Sequence, residues 1–216
     1  IAESSNVGAA LIQQRMGARR FDQWVRRFGF GRPTGVDLPG EEAGILLSYD
    51  DYSGSTSANM AMGQGLAVTP MQMSAAYAAI ANGGMLRPPH IVEAVGGRPR
   101  AVPAGRRVIS EETAASVRRM LEGVLGPGGT ATGAAIDGYE LGGKTGTAEK
   151  PDEHGGYSKT KFVASFVGFA PAKDPKLLVA VMVDEPQGDI YGGTVAGPAF
   201  KRITEFALTN LRIAPG

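Results

Sequence analysis

The chain has 216 residues, with 22 Lys and Arg against 21 Asp and Glu, no cysteine and two histidines. A single chain of this length buries roughly 70% of the surface it exposes when unfolded, so a core forms without disulfides or structural metal. The absence of cysteine excludes thiol nucleophiles, cysteine-bound zinc and iron–sulfur clusters, and a net charge of +1 argues against the concentrated basic surface of a general nucleic-acid binder.

From Asn6 to Met16, Val7, Ala10 and Leu11 fall at helical spacing, with Ser5 or Asn6 able to cap the start. A second helix is expected over Ala18 to Phe28, where Phe21, Trp24, Val25 and Phe28 form a core stripe. Gly29 to Gly40 is punctuated by Gly and Pro and reads as an ordered loop. Thr69-Pro70 sets an N-cap and first turn for a helix over Met71 to Ile80, which stops at Asn82-Gly83-Gly84. Because that helix is apolar on nearly every side, it is expected at the centre of the core. A further helix follows Ser110, with Glu111 and Glu112 in its first turn and Gly126-Pro-Gly-Gly at its end.

After residue 140 the period changes. Gly142 to Lys150, Lys161 to Ala170 and Leu177 to Val183 read as strands, the last two joined by Pro171-Ala-Lys-Asp-Pro, and Ala199 to Leu211 closes the chain as a helix. Helices followed by consecutive, closely connected strands indicate an α+β class with an antiparallel sheet flanked by helices. His90, after Pro88-Pro89, and His154, in a polar Gly-rich run, read as turn or surface histidines, so neither a metal site nor a cofactor is expected. No run of 18 apolar residues occurs, and residue 1 is Ile, which fits either a removed leader or a piece of a longer protein.

Three motifs compete to carry the chemistry. Gly138-Tyr-Glu-Leu-Gly-Gly143-Lys144-Thr145 satisfies the phosphate-loop expression of nucleotide hydrolases, with Asp184 after a strand as the apparent metal ligand. That loop needs a helix directly after Lys-Thr, so that helix N-terminal amides meet the phosphates. Gly146-Thr-Ala-Glu-Lys-Pro151 has no helical pattern, which counts against nucleotide hydrolysis. Read as an edge strand instead, Lys144 and Gly146 take one face and Thr145 and Thr147 the other, beside a peptide-like ligand whose carboxylate or oxyanion they grip.

Ser4-Ser5-Asn6 joins K-T-G as S-x-N, in the order of the penicillin-recognising serine acyltransferases. With Met60-Ala-Met-Gly-Gln-Gly-Leu-Ala-Val-Thr-Pro, Ala76-Tyr-Ala-Ala-Ile-Ala-Asn-Gly-Gly, Gly142-Gly-Lys-Thr-Gly-Thr-Ala-Glu, Phe166-Val-Gly-Phe-Ala-Pro-Ala and Tyr191-Gly-Gly, the sequence resembles class B penicillin-binding proteins, the peptidoglycan D,D-transpeptidases. The resemblance implies the penicillin-binding-protein and serine β-lactamase fold. It gives Ser4 a proton-relay role, Asn6 the donor peptide's amide, and Lys144 the positive charge. Thr145, Gly146 and Thr147 would bind the carboxylate of a D-Ala-D-Ala stem peptide or a β-lactam, with the Thr147 N–H in the oxyanion hole and Tyr191 bordering the cleft. It further implies a membrane glycosyltransferase partner and a location on the extracytoplasmic face of the bacterial membrane, with an accessory domain and anchor in the parent protein. The alternative within the fold is a β-lactam sensor.

The family's S-x-x-K nucleophile precedes S-x-N, whereas Ser158-Lys-Thr-Lys161 follows K-T-G. That segment runs into a strand, where residues three apart point to opposite faces. The expectation is therefore that residues 1–216 form the C-terminal portion of a transpeptidase domain, that the acylated serine lies upstream, and that the chain alone is inactive. Apolar surface is then expected to be exposed on the 71–80 helix and the sheet, where the upstream half packs.

Overall fold

In the computed structural model, which describes residues 1–215, the chain divides into two compact units. One is Asn6–Glu111, and the other joins Ile1–Ser5 to Glu112–Gly216.

The first unit opens with helices α1 (Asn6–Met16) and α2 (Ala18–Arg27), hinged at Gly17, which takes φ 82°. The turn that follows α2 leads into a long loop that carries a bridge of Ile45 to Ala67 and a short 3-10 helix at Tyr49–Asp51, then α3 (Thr56–Ala61) and α4 (Pro70–Ala81). Gln13 is buried on the inner face of α1 and donates to Ser57 Oγ at 3.0 Å, tying α1 to α3. Thr69 caps α4 by accepting from the Gln72 N–H at 3.1 Å, while Gln72 Oε1 accepts from the Thr69 N–H at 2.9 Å. This reciprocal capping box satisfies two donors that the helix start would otherwise orphan. Two-residue ladders complete the unit: β1 (Met85–Leu86) with β4 (Arg106–Arg107), and β2 (Ala94–Val95) with β3 (Arg98–Pro99).

The long loop is held by side chains. Gln72 Nε2 donates to the carbonyls of Arg32 and Ala43, both at 2.8 Å. The Glu41 carboxylate accepts from the Thr34 N–H at 2.7 Å, the Thr34 hydroxyl at 2.5 Å and the Gly35 N–H at 2.9 Å. Asp37 accepts from the N–H groups of Ile91 and Val92 and from Arg100.

The second unit takes in α5 (Glu111–Glu122) from Glu112 onward and contains a three-stranded antiparallel sheet in the order β5 (Gly142–Pro151), β6 (Tyr157–Ala170), β7 (Leu177–Asp184). Helices α6 (Gly192–Val195) and α7 (Gly197–Asn210) follow. β6 is the middle strand, and Ala164, Phe166, Val167, Phe169 and Ala170 are all buried, so its second half is covered on both faces. Phe166 packs on Phe200 of α7 with ring centroids 4.5 Å apart, among Val124, Leu141, Val179 and Leu208. Each such side chain contributes about 1.5–3 kcal/mol by leaving water. Gly168 is required at this contact, because a Cβ there would stand 2.8 Å from the Phe200 ring.

The α+β class and the three strands agree with the sequence reading; most element ends shift by one residue, and two shift by more. β6 starts at Tyr157 rather than Lys161, because Tyr157 pairs with Pro151 across the hairpin. α7 starts at Gly197, with Pro198 in its first turn.

The burial of α4 differs more. Only Gln72, Ala76 and Ala79 are buried on it, a stripe at four- and three-residue spacing, and the rest of the helix is half-buried or exposed. Its many alanines carry too little side chain to demand burial on every side. The large apolar residues left in solvent include Val7, Leu11 and Ile12 on α1, Met120 on α5, Ile203 and Phe206 on α7 and several loop positions; of the helix and sheet where exposure was expected, α4 contributes none of them and the sheet contributes Tyr157 at the start of β6. His90 and His154 are exposed, as read. No helix among the described residues is long and apolar enough to cross a membrane.

Candidate active site

The strand β5 carries Lys144-Thr145-Gly146-Thr147 in its interior, paired across to Val167, Phe166, Ser165 and Ala164. The strand runs on to Pro151, so no helix N-terminus follows Lys144-Thr145 and the phosphate-loop geometry is not formed. β5 is an edge of the three-stranded sheet, and Thr147 is exposed.

Residues Ile1–Ser5 belong to this same unit. The Ala2 carbonyl accepts from the Thr130 N–H at 3.3 Å, which lays the segment beside the Gly-rich turn after α5. Ser4 is exposed and takes φ 54°, a left-handed conformation that costs a side-chain-bearing residue of order 1–3 kcal/mol and concentrates at functional sites. Its hydroxyl accepts from Lys144 Nζ at 2.8 Å, a contact between residues 140 apart. Lys144 Nζ also lies 3.1 Å from the Thr145 carbonyl and 3.2 Å from Thr145 Oγ1. The sequence reading put Lys144 and Thr145 on opposite faces; the four-carbon stem nevertheless carries the ammonium back to the threonine's polar end. Burial lowers the Lys144 pKa from the ordinary lysine value of 10.5, because a half-buried ammonium loses hydration.

A second layer fixes the threonines. Thr145 Oγ1 and Thr130 Oγ1 are 2.9 Å apart, and Thr147 Oγ1 accepts from the Gly192 N–H at 3.2 Å. Gly192 packs so closely that a Cβ would fall 2.2 Å from the Ser165 carbonyl oxygen and 2.5 Å from that of Gly146. Only glycine lets the Tyr191-Gly192-Gly193 turn rest on the strand. Asp189 shapes the same turn by accepting from the N–H groups of Ile190 and Tyr191; the Tyr191 N–H, then the Thr194 hydroxyl, hold its carboxyl below the usual range. Tyr191 is exposed.

Of the residues singled out, Ser4, Lys144 and Thr145 meet directly, while Thr147 and Gly146 meet the turn after Tyr191. Asn6 is exposed and opens α1, the first element of the other unit. Thr130, Gly192 and Asp189 were not picked out from the sequence as partners. A threonine after Gly-Pro-Gly-Gly carries no motif, whereas a double glycine such as Gly192-Gly193 is the kind of signal that marks a close backbone approach. Ser158 is buried near the start of β6, and its hydroxyl accepts from the N–H groups of Thr160 and Lys161, so it is locally bonded rather than an exposed nucleophile.

The family model for the penicillin binding protein transpeptidase domain matches residues 1–205. The chain belongs to that family. Its class B resemblance agrees with named relatives. The chain is 40% identical over 214 residues to the probable peptidoglycan D,D-transpeptidase PenA of Neisseria gonorrhoeae, covering 99% of this chain and 36% of that protein. It is 40% identical over 223 residues to stage V sporulation protein D of Bacillus subtilis, covering 100% of this chain and 34% of that protein. Penicillin-binding protein 3 of Mycobacterium tuberculosis, solved in complex with aztreonam, superposes with a TM-score of 0.92 at 37% identity, over 100% of this chain and 51% of that one. The transpeptidase domain of Burkholderia pseudomallei penicillin-binding protein 3 gives a TM-score of 0.89 at 41% identity, over 100% of this chain and 64% of that one. The transpeptidase-domain chain thus spans about a third of the length of these curated relatives.

Proposed function

We propose that residues 1–216 are the C-terminal portion, from S-x-N onward, of a serine D,D-transpeptidase domain that cross-links peptidoglycan stem peptides and is acylated by β-lactams. The observation that carries this reading is the Lys144 Nζ to Ser4 Oγ hydrogen bond, which joins S-x-N to K-T-G. In the reaction, a serine outside these residues attacks the carbonyl carbon of the penultimate D-Ala, and the terminal D-Ala leaves as its amine. The Ser4 hydroxyl passes the proton to that amine. Lys144 orients Ser4 and supplies positive charge, Thr145 and Thr147 receive the terminal carboxylate, and the Thr147 N–H stabilises the oxyanion. Asn6 holds the donor amide, and Tyr191 borders the cleft. An acceptor amine then takes the acyl group and frees the serine. The substrates imply an extracytoplasmic position at the bacterial membrane and work beside a glycosyltransferase that supplies glycan strands.

Acylation of the parent protein by a fluorescent penicillin tests these roles. Ser4→Ala and Lys144→Ala are each expected to slow labelling by about 10²–10³, the loss typical when one electrostatic group is removed from such a site. Wild-type labelling rates in both variants overturn the assignment. The isolated 216-residue chain is expected to remain unlabelled, and covalent label on any of its residues overturns the placement of the nucleophile. Because burial lowers the Lys144 pKa, the ammonium is lost at a lower pH than for an ordinary lysine. Labelling of the parent is therefore expected to fall as pH rises through a value below 10.5, a limb that Lys144→Arg removes.

A further inference from the structure

The Asn6–Glu111 unit holds eleven arginines and no lysine against eight acids. Three of those arginines stand together. A cavity of about 300 Å³ is lined by Arg32, Arg87 and Arg106, with Phe28, Leu86 and Pro88 among its apolar walls and no carboxylate on its lining. That volume lies at the lower end of the range that small organic ligands occupy.

The walls are fixed by backbone pairing. Leu86 of β1 lies opposite Arg106 of β4, so Arg106 and the next residue after β1, Arg87, emerge at the same end of one short ladder. Arg106 Nη2 donates to the Arg27 carbonyl, which holds its guanidinium against the end of α2. Arg32 is held from the backbone side, its carbonyl accepting from the buried Gln72 amide at 2.8 Å. The pKa of Arg106 is lowered, first by burial and then by the positive charges of Arg32 and Arg27, as expected when cations crowd without a counterion. Three of the unit's eight acids have other partners: Asp22 pairs with Arg26, Asp37 with Arg100, and Glu41, behind the cavity wall, accepts from the lining residue Thr34 and from Gly35. Among the described residues no carboxylate forms an ion pair with Arg32, Arg87 or Arg106.

We propose that this cavity is a binding site for a phosphoryl group, a phosphomonoester or diphosphate whose oxygens are held by Arg32, Arg87 and Arg106 and whose organic part lies on Phe28, Leu86 and Pro88. One carboxylate would satisfy a single guanidinium fork; three uncompensated guanidiniums match the several oxygens and the multiple charge of a phosphoryl group. The site is distinct from the Ser4 and Lys144 cluster, which lies in the other unit.

Calorimetric titration of the parent protein with inorganic pyrophosphate tests this, with sedimentation against phosphatidic acid vesicles as a second arm and phosphatidylcholine vesicles as the blank. One-to-one binding of pyrophosphate assigns the site to soluble phosphoryl compounds; binding only to phosphatidic acid vesicles assigns it to a lipid headgroup. Arg87→Ala and Arg32→Ala are each expected to weaken the observed binding about tenfold or more, as loss of one charge-assisted pair does. Arg87→Gln, which keeps the stem along the wall, is expected to weaken it equally and guards against a packing effect. Arg98→Ala, on the β2–β3 hairpin and off the cavity lining, is expected to leave binding unchanged. Absence of binding in both arms, equal weakening by Arg98→Ala, or succinate binding as tight as pyrophosphate overturns the proposal.

Discussion

Between residues 142 and 184 backbone satisfies backbone: β5 pairs with β6, and β6 with β7, along two long registers. Between residues 29 and 48 of the other unit the backbone makes a bridge of Ile45 with Ala67 rather than a ladder, and side chains hold the rest: Gln72 donates to the Arg32 and Ala43 carbonyls, Glu41 accepts from the Thr34 and Gly35 N–H groups, and Asp37 accepts from those of Ile91 and Val92. A ladder shares its load over many equivalent bonds, so one side-chain change costs it little beyond local packing. A loop held by three side chains concentrates the load, because removing one of them strands several buried polar groups together. Lys144, Thr145, Gly146 and Thr147 sit on the ladder.

The largest test of this contrast is Gln72→Leu. It leaves the Arg32 and Ala43 carbonyls and the Thr69 N–H without a side-chain partner, at 1–3 kcal/mol for each group that stays buried, and is expected to cost about 3 kcal/mol or more. Urea denaturation measures it; a cost under about 1 kcal/mol would mean the loop does not depend on its side-chain anchor.

Acid provides the second test. The Ile91 N–H, working against burial and with the Val92 N–H and Arg100, holds Asp37 below the ordinary carboxylate pKa of 3.8. For Glu41, burial pushes upward, but the hydrogen bonds from Thr34, Gly35 and Val36 outweigh it, so its pKa also falls below the ordinary value of 4.5. Carboxylates with lowered native values stabilise the fold fully above the ordinary pKa, and that contribution is lost as pH falls through the lowered values. Amide protection factors, which allow for the slower intrinsic exchange in acid, are therefore expected to fall at Ile91, Val92, Thr34 and Gly35 on acidification before those of β6. Exchange that begins in β6 would reverse the ranking of the two regions.

A smaller effect sharpens the comparison from the sheet side. Thr204 on α7 is 1% exposed, and its hydroxyl has no hydrogen-bond partner. Thr204→Val is expected to raise stability by about 1 kcal/mol by removing an unpaired buried hydroxyl at constant volume. A lower thermal midpoint would show that the hydroxyl is bonded after all.

The sheet and its motif were legible because their signals are local: alternating residues make strands, and a helix-free Lys-Thr-Gly cannot be a phosphate loop. The S-x-N and K-T-G roles came from family resemblance, and the contact of Ser4 with Lys144 gives that pairing a geometry. The anchors of the long loop were not legible. Gln72 looked like one more residue of an apolar helix, and its partners lie 29 and 40 residues away, where no short-range pattern reaches. Asp37 meets Ile91 across 54 residues for the same reason. The burial of α4 was misjudged because alanine reads as apolar in a pattern while demanding little burial in space.

An ammonium group has three hydrogens to donate, and the three acceptors within reach of Lys144 Nζ are Ser4 Oγ, the Thr145 carbonyl and Thr145 Oγ1. The group is saturated before any ligand arrives. A carboxylate that approaches it has to displace one of these acceptors, so what binding gains there is the difference between two hydrogen bonds. The ligand that displaces the Thr145 hydroxyl leaves Ser4 still held, and the one that displaces Ser4 sets it free to turn. Discrimination between ligands at this lysine then lies in which of its existing partners each one replaces.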